Sequence, residues 1–423
     1  MRNLDLLNFV HIILCIYIIP YSAFILITSL AALCGRKTIR PGEGTKPEPS
    51  SSRQRFLVVV PAYDEGPSIA KTVLSCKALQ YPASLFDVLV IADNCSDDTA
   101  LQARQAGARV LERFDAKKKS KGHAIEYLIE TLIQSGEFDS LDALVIIDAD
   151  STVHPALLER FSQELERGSD WIQCYDCVGN ADQSWRTRLM AYGFSLINGV
   201  TLLGLRALGL SAGLRGNGMC ISTEGLRRVP WTANGLAEDL EYSWSVRIAG
   251  GRIVFIRDVA VYAIMLTKGG IASANQRRRW EFGRSVLRRK MLGPLLRSHH
   301  LGWIQKGAAV VELTMQPAIH LVIVYLVLSV LLLWRLPRMI DQGEYSLLSF
   351  VGTTHAIATL GFAIFAVSPL LLDFLAWRYA LSLIYLPYYA LWKVVVLLRG
   401  RPQSWLRTIR EGEPIASSRK VSE

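Results

Sequence analysis

The sequence predicts an α/β domain with a mostly parallel sheet and helices on both faces, set between transmembrane helices. Strand-like and helix-like segments alternate from Phe56 onward, the order that βαβ units require. The strand-like runs are continuously apolar and β-branched, as strands covered on both faces are. The long uncharged stretches gather near the two ends of a 423-residue chain that is 51% hydrophobic.

Leu6 to Cys34 contains no Asp, Glu, Lys or Arg. Crossing a bilayer takes roughly 20 residues, and a signal-peptide core is shorter, so residues 1–35 are expected to form a retained transmembrane helix. Residues 36–55, with Pro41, Gly42, Gly44, Pro47 and Pro49 and no apolar period, read as a linker. The soluble domain is expected over 56–290. It opens with a strand at Phe56 to Val60, closed by Pro61, and a helix at Ser68 to Leu79. A second strand, Val88 to Ala92, ends at Asp93-Asn94, and Ser96-Asp97-Asp98 can cap a helix at Thr99 to Ala106. Val110-Leu111, a helix at Ala124 to Ile133 and a strand at Leu144 to Ile147 lead into Asp148-Ala149-Asp150.

Residues 291–398 are expected to hold an amphipathic or interface helix and further membrane segments. Ala308 to Trp334 is apolar, but Glu312, Gln316 and His320 lie in its first half, so its membrane core should begin near Pro317. Ser346 to Leu372 is uncharged, whereas Trp377 to Leu398 mixes Arg378, Pro387 and Lys393 with Tyr and Trp, which suits the headgroup level or a re-entrant path. Arg36, Lys37, Arg40 and Lys46 outweigh Arg2 across the first span, which places the soluble domain in the cytosol. The basic tail, 399–423, asks for the same side, so three full spans are expected, in an integral protein of the plasma (inner) membrane.

Seven cysteines, an odd number without a framework of spacings, fit a reducing compartment. Cys174-Tyr175-Asp176-Cys177 has no second pair at zinc-ligand spacing and reads as a strand edge. The net charge of +10 lies largely in the flanks and after Gln276. It points to an anionic membrane surface as partner; no signature of a nucleic-acid reader accompanies it.

In parallel sheets ligands bind beyond the carboxyl ends of the strands. Asp64, Asp93, Asp148 and Asp150 all follow such ends, so one fold assumption brings them to one rim. Neither G-x-G-x-x-G nor G-x-x-x-x-G-K-[ST] occurs, which argues against a dinucleotide-binding or P-loop enzyme. Two carboxylates after a buried strand suit Mg²⁺ or Mn²⁺ held against a diphosphate, although such a triplet alone also fits an ordinary turn. Glu238-Asp239, at a helix start, could take a proton from a hydroxyl. Gly213 to Met219 packs glycines around Arg215 and Asn217, where backbone can approach a ligand. Gln276, Arg279 and Trp280 share a helical face; Arg suits phosphate and Trp a sugar ring, while a basic helix lying on headgroups is the alternative. Lys117 to Lys119 and Lys121 could reach phosphate but read rather as a solvated charge run, and His123 and His154 read as loop histidines rather than ligands.

Taken in order, these motifs resemble those of membrane-bound family 2 glycosyltransferases with the GT-A fold, such as the cellulose, chitin, hyaluronan and poly-N-acetylglucosamine synthases. The resemblance spans roughly residues 56 to 285. It implies that Asp64 and Glu65 in Pro-Ala-Tyr-Asp-Glu, together with Asp93, hold the nucleotide. It likewise assigns Asp148 to the donor, Asp150 to Mg²⁺ or Mn²⁺, and the general base to Asp239 of the Glu238-Asp239 pair. Gln276 and Arg279 would complete the charge clamp; Trp280, Arg215 and Asn217 would bound the acceptor. Many relatives carry a second Asp where this chain has Ala92. The implied activity is inverting transfer of a hexose or N-acetylhexosamine from UDP-N-acetylglucosamine or UDP-glucose to a glycan, with polysaccharide-export subunits as accessory partners. A lipid glycosyltransferase is the alternative within the class. A transporter or channel with a nucleotide-sensing domain is the alternative outside it, and the small number of spans argues against that.

Overall fold

The computed structural model describes residues 2–35, 53–316, 318–372 and 374–398. Most of the expected linker and the whole basic tail lie outside them. Eight strands form one sheet: β1 (Phe56–Ala62), β2 (Phe86–Asp93), β3 (Arg109–Arg113), β4 (Ala143–Ile146), β5 (Ser151–Val153), β6 (Trp171–Val178), β7 (Met219–Ser222) and β8 (Ile253–Ala263). Their order is β3-β2-β1-β4-β7-β6-β8-β5. β1 pairs in parallel with both β2 and β4, so the strand order reverses beside β1, where open α/β sheets bind ligands. β7 runs antiparallel to β4 and β6, and β5 antiparallel to β8, so the sheet is mostly but not wholly parallel.

The continuous apolar run of β1 has a direct cause. Phe56, Val58 and Val60 enter one core, with Ile69 and Val73 of the helix Gly66–Lys77. Leu57 and Val59 enter the other, with Ile125, Leu128 and Leu132 of the helix Lys121–Ser135. That second helix begins three residues before the expected Ala124, because the Ser120 hydroxyl caps it by accepting from the His123 amide at 3.2 Å.

Among the described residues, five helices are long and apolar enough to cross a membrane: Leu6–Cys34, Trp185–Ala207, His320–Asp341, Tyr345–Leu371 and Trp377–Val396. Trp185–Ala207 was not anticipated. It is a helix with a π-helical middle, Ser195–Thr201, and 72% of its apolar window is buried inside the protein. Leu202, Leu203 and Leu205 join the sheet core to Phe24, Ile25 and Ala32 of the first span and to Phe365 of a later one, so this segment joins domain to membrane helices. The expected apolar stretch from Ala308 is divided into the helices Trp303–Thr314 and Ala318–Asp341. Glu312 belongs to the first, where it pairs with Arg247 at 2.8 Å instead of entering a span.

Candidate active site

β1, β2 and β4 end on one edge, and β7, entering antiparallel beside β4, brings the loop 213–218 to the same place. Asp64 adopts φ +52°, outside the range of ordinary side-chain-bearing residues, and its carboxylate accepts from the Ser96 amide at 2.6 Å. The Glu65 carboxylate accepts from the Ser68 hydroxyl at 2.8 Å, turned toward its own helix. Asp93 is buried and paired with Arg113 at 2.5 Å, and Asn94 donates to the same oxygen at 2.9 Å. Burial pushes the Asp93 carboxyl above its usual range, and Arg113 opposes that shift. Asp64 and Asp93 therefore line one corner as elements of hydrogen-bonded loops. Asp64, Cys95 and Asp97 also bring one ligand atom each within 4.8 Å of one another. Burial pushes the Cys95 thiol up to about 11.

Asp148 and Asp150 stand on the turn after β4. The turn is held from behind by Asn217, whose side-chain oxygen accepts from the Asp148 amide at 3.0 Å. Its side-chain nitrogen donates to Ser151 at 2.9 Å and to Asp176 at 3.2 Å. Asn217 is 2% exposed with both amide atoms engaged, so its side chain braces the turn that carries Asp148 and Asp150. Asp176, buried on β6, is also held by Asn198 at 3.2 Å. Burial first, and then Asp148, pushes its carboxyl well above the carboxylate range, with Asn217 opposing.

Lys121 joins the two halves of the cleft. Its ammonium donates to Asp148 and, at 2.5 Å, to the Gly216 carbonyl. It also lies within electrostatic reach of Glu238 and Asp239. Burial opposes its charge, yet those three carboxylates hold its pKa above the ordinary value. This corrects the reading of Lys121 as solvated: only 18% of its side chain is exposed. A signal was present in the sequence, since Lys121 shares the helical stripe of Ala124, Ile125, Leu128 and Leu132, all buried.

Glu238 and Asp239 start the helix Glu238–Ile248. Burial, and then Asp239 beside it, pushes Glu238 up to about 7, with Lys121 and Arg279 opposing. Burial likewise raises Asp239, against the Leu240 amide, Lys121 and Arg215. Gly216 has φ +84°, and a Cβ there would lie 3.1 Å from the Asp239 carboxylate, so glycine suits the loop where it passes Asp239. Arg215 is a partly buried cation near Glu312 and Asp239, with its amide donating to Gln173 at 2.8 Å.

The helix Ile271–Arg297 carries Gln276, Arg279 and Trp280, all partly buried. Arg279 lies in reach of Glu238. Trp280 packs beside Phe194, with ring centroids 6.5 Å apart, and under Arg277, which itself reaches Tyr389 near the C-terminal end. Asp148 and Asp150 offer oxygen donors of the kind a hard divalent cation takes, and both lie within electrostatic reach of Asp176, while Lys121 already pairs with Asp148 and would have to share it with a cation.

Similarity to known proteins agrees with this arrangement. Residues 53–283 match the model of a family described as glycosyltransferase like family 2. A glycosyltransferase of Mycoplasma pneumoniae, itself described as uncharacterized, is 27% identical over 130 residues, which span 29% of this chain and 42% of that protein. Among solved structures, a mannosyltransferase from Pyrobaculum calidifontis in complex with GDP-Man and Mn²⁺ is 14% identical, covering 86% of this chain and 99% of that one at a TM-score of 0.49. The Staphylococcus aureus TarS complex with UDP-GlcNAc is 17% identical over 61% of this chain and 71% of that one, at 0.45. Glucosyl-3-phosphoglycerate synthase of Mycobacterium tuberculosis, bound to Mn²⁺, UDP and its product, is 20% identical over 59% of this chain and 85% of that one, at 0.41. With the family match covering more than half its length, and its acids gathered on the switch-point edge of a mostly parallel sheet, the chain belongs to glycosyltransferase family 2 and has the GT-A fold.

Proposed function

We propose that the chain is an inverting, metal-dependent glycosyltransferase that moves a hexose or N-acetylhexosamine from a UDP-sugar to a glycan acceptor at the membrane surface. One observation carries the reading: Lys121 touches Asp148 and neighbours Glu238 and Asp239, so donor-side and acceptor-side motifs share one cleft. Asp239 takes the proton of the acceptor hydroxyl as it attacks the anomeric carbon from the face opposite the departing diphosphate. Mg²⁺ or Mn²⁺ held by Asp148 and Asp150 would offset the charge of that diphosphate. Lys121 and Arg279 add fixed positive charge along the same path, while Gln276 and Arg215 complete the lining. Asp64 and Asp93 border the nucleoside end. UDP-N-acetylglucosamine and UDP-glucose are the favoured donors, through the likeness of these motifs to those of the polysaccharide synthases.

The catalytic domain is read as cytosolic, at the plasma membrane. The segment 377–398 is read as lying at the interface, because it packs on the helix Ile271–Arg297 while Leu381 and Ile384 stay 79% exposed, a surface suited to lipid. The same observation favours a second reading, a membrane lipid as acceptor, since Trp280 adjoins this segment. The test is incubation of the purified protein in detergent with Mn²⁺ and a panel of radiolabelled sugar nucleotides. A ladder of polymer products from one donor supports the first reading and a single labelled lipid the second; no transfer from any donor refutes both.

A further inference from the structure

The helix Leu386–Leu398 presents Tyr389, Trp392 and Lys393 at i, i+3 and i+4 to the catalytic domain. The Lys393 ammonium meets the Glu281 carboxylate at 2.7 Å, and their side chains are only 6% and 12% exposed. Arg277 donates to the Tyr389 hydroxyl and lies 5.1 Å over the Trp280 ring. Arg186, itself buried, lies 4.9 Å over Trp392. Glu281 immediately follows Trp280. Two residues further on, a Cβ at Gly283 would lie 3.0 Å from the Ala237 Cβ, and Ala237 is the residue before Glu238. The helix Ile271–Arg297 is thus seated between a buried ion pair on one side and the start of the base helix on the other.

We propose that Lys393 is a positioning residue for transfer: through Glu281 it sets the seat of the helix that carries Gln276, Arg279 and Trp280 against Glu238-Asp239. This rests on the glycosyltransferase reading above. The C-terminal membrane-associated helix is then part of the active site and not only an anchor. A buried ion pair suits that task, because loss of either partner strands the other charge, while exchange of the two charges restores the contact.

The test uses the full chain in nanodiscs, with Lys393→Met, Glu281→Gln, Lys393→Arg and the exchanged double variant Glu281→Lys/Lys393→Glu. Each of the first two is expected to lower kcat for transfer about tenfold to a hundredfold, the scale of a small misplacement in a site, with donor KM and UDP binding within about twofold of wild type. Lys393→Arg and the exchanged pair are expected to recover most of kcat. The proposal is overturned if Lys393→Met transfers at the wild-type rate. It is equally overturned if kcat and UDP binding fall together in both single variants, or if the exchanged pair folds, binds UDP and gains nothing over them. A wild-type protein that transfers from no sugar nucleotide removes the glycosyltransferase reading itself, whereas an active wild type with an indifferent Lys393 removes only this inference.

Discussion

The donor side and the acceptor side of the cleft are held by different forces. Asp93, Asp148 and Asp150 ride on β2 and β4, whose neighbours are fixed by main-chain hydrogen bonds and by core residues with almost no exposure. Glu238, Arg279 and Trp280 ride on helices that share only a small apolar cluster, with Trp244, Leu287 and Leu313, and are tied further by side-chain charge: Arg247 with Glu312, Lys290 with Glu241, and Lys393 with Glu281. Glu312 and Lys393 come from elements that adjoin the membrane helices. Under the proposed function, nucleotide binding would be a property of the sheet, whereas acceptor chemistry would depend on how the domain is seated on its membrane segments.

The sharpest way to separate the two sides is Asp239→Asn. It should lower transfer about 10² to 10⁴-fold, the usual contribution of a general base, while UDP affinity measured by calorimetry stays at the wild-type value. Asp150→Ala should do the opposite. Donor binding should lose its dependence on Mn²⁺ and turnover should fall about a hundredfold, so an activity indifferent to chelator would break the donor-side assignment. Asn217→Ala should weaken Mn²⁺ affinity about tenfold to a hundredfold, as loss of a supporting contact behind a metal ligand does. It also removes a partner from buried Asp176, at about 1–3 kcal/mol of stability, which thermal unfolding would register. The smallest effect expected is on pH. The Glu238-Asp239 pair must be deprotonated to accept the acceptor proton, and burial raises both, Glu238 to about 7, so kcat should fall as pH drops through that region. Glu238→Gln removes one negative neighbour and should move this acid limb to lower pH by about one unit; a limb that stays in place would break the coupling.

The donor side was the more legible in sequence, for a physical reason. Strands such as β1 and β2 are covered on both faces, so they read as unbroken apolar runs, and their acids follow at once. β6 was anticipated only as a strand edge at Cys174 to Cys177 and β8 not at all, because Gln173 and Asp176 interrupt the first and Arg257 and Asp258 the second. Those polar groups are satisfied inside the fold: the Gln173 side chain donates to the Asn217 carbonyl at 2.8 Å, and Arg257 donates to the Leu372 carbonyl at 2.6 Å. Trp185–Ala207 was hidden for a related reason, since the charge of Arg186 is buried against aromatic rings that come from the far end of the chain. Lys121 was obscured by the lysines before it. The pairing of Glu281 with Lys393 joins residues too distant in sequence for any local pattern to reveal.

The measurement that bears most directly on a single carboxylate base acting opposite the leaving diphosphate is the anomeric configuration of the first product. It can be read by proton NMR after transfer from an α-linked UDP-sugar in the presence of Mn²⁺. Asp239 acting in one displacement predicts a β-linked product. An α-linked product would contradict the cleft as described.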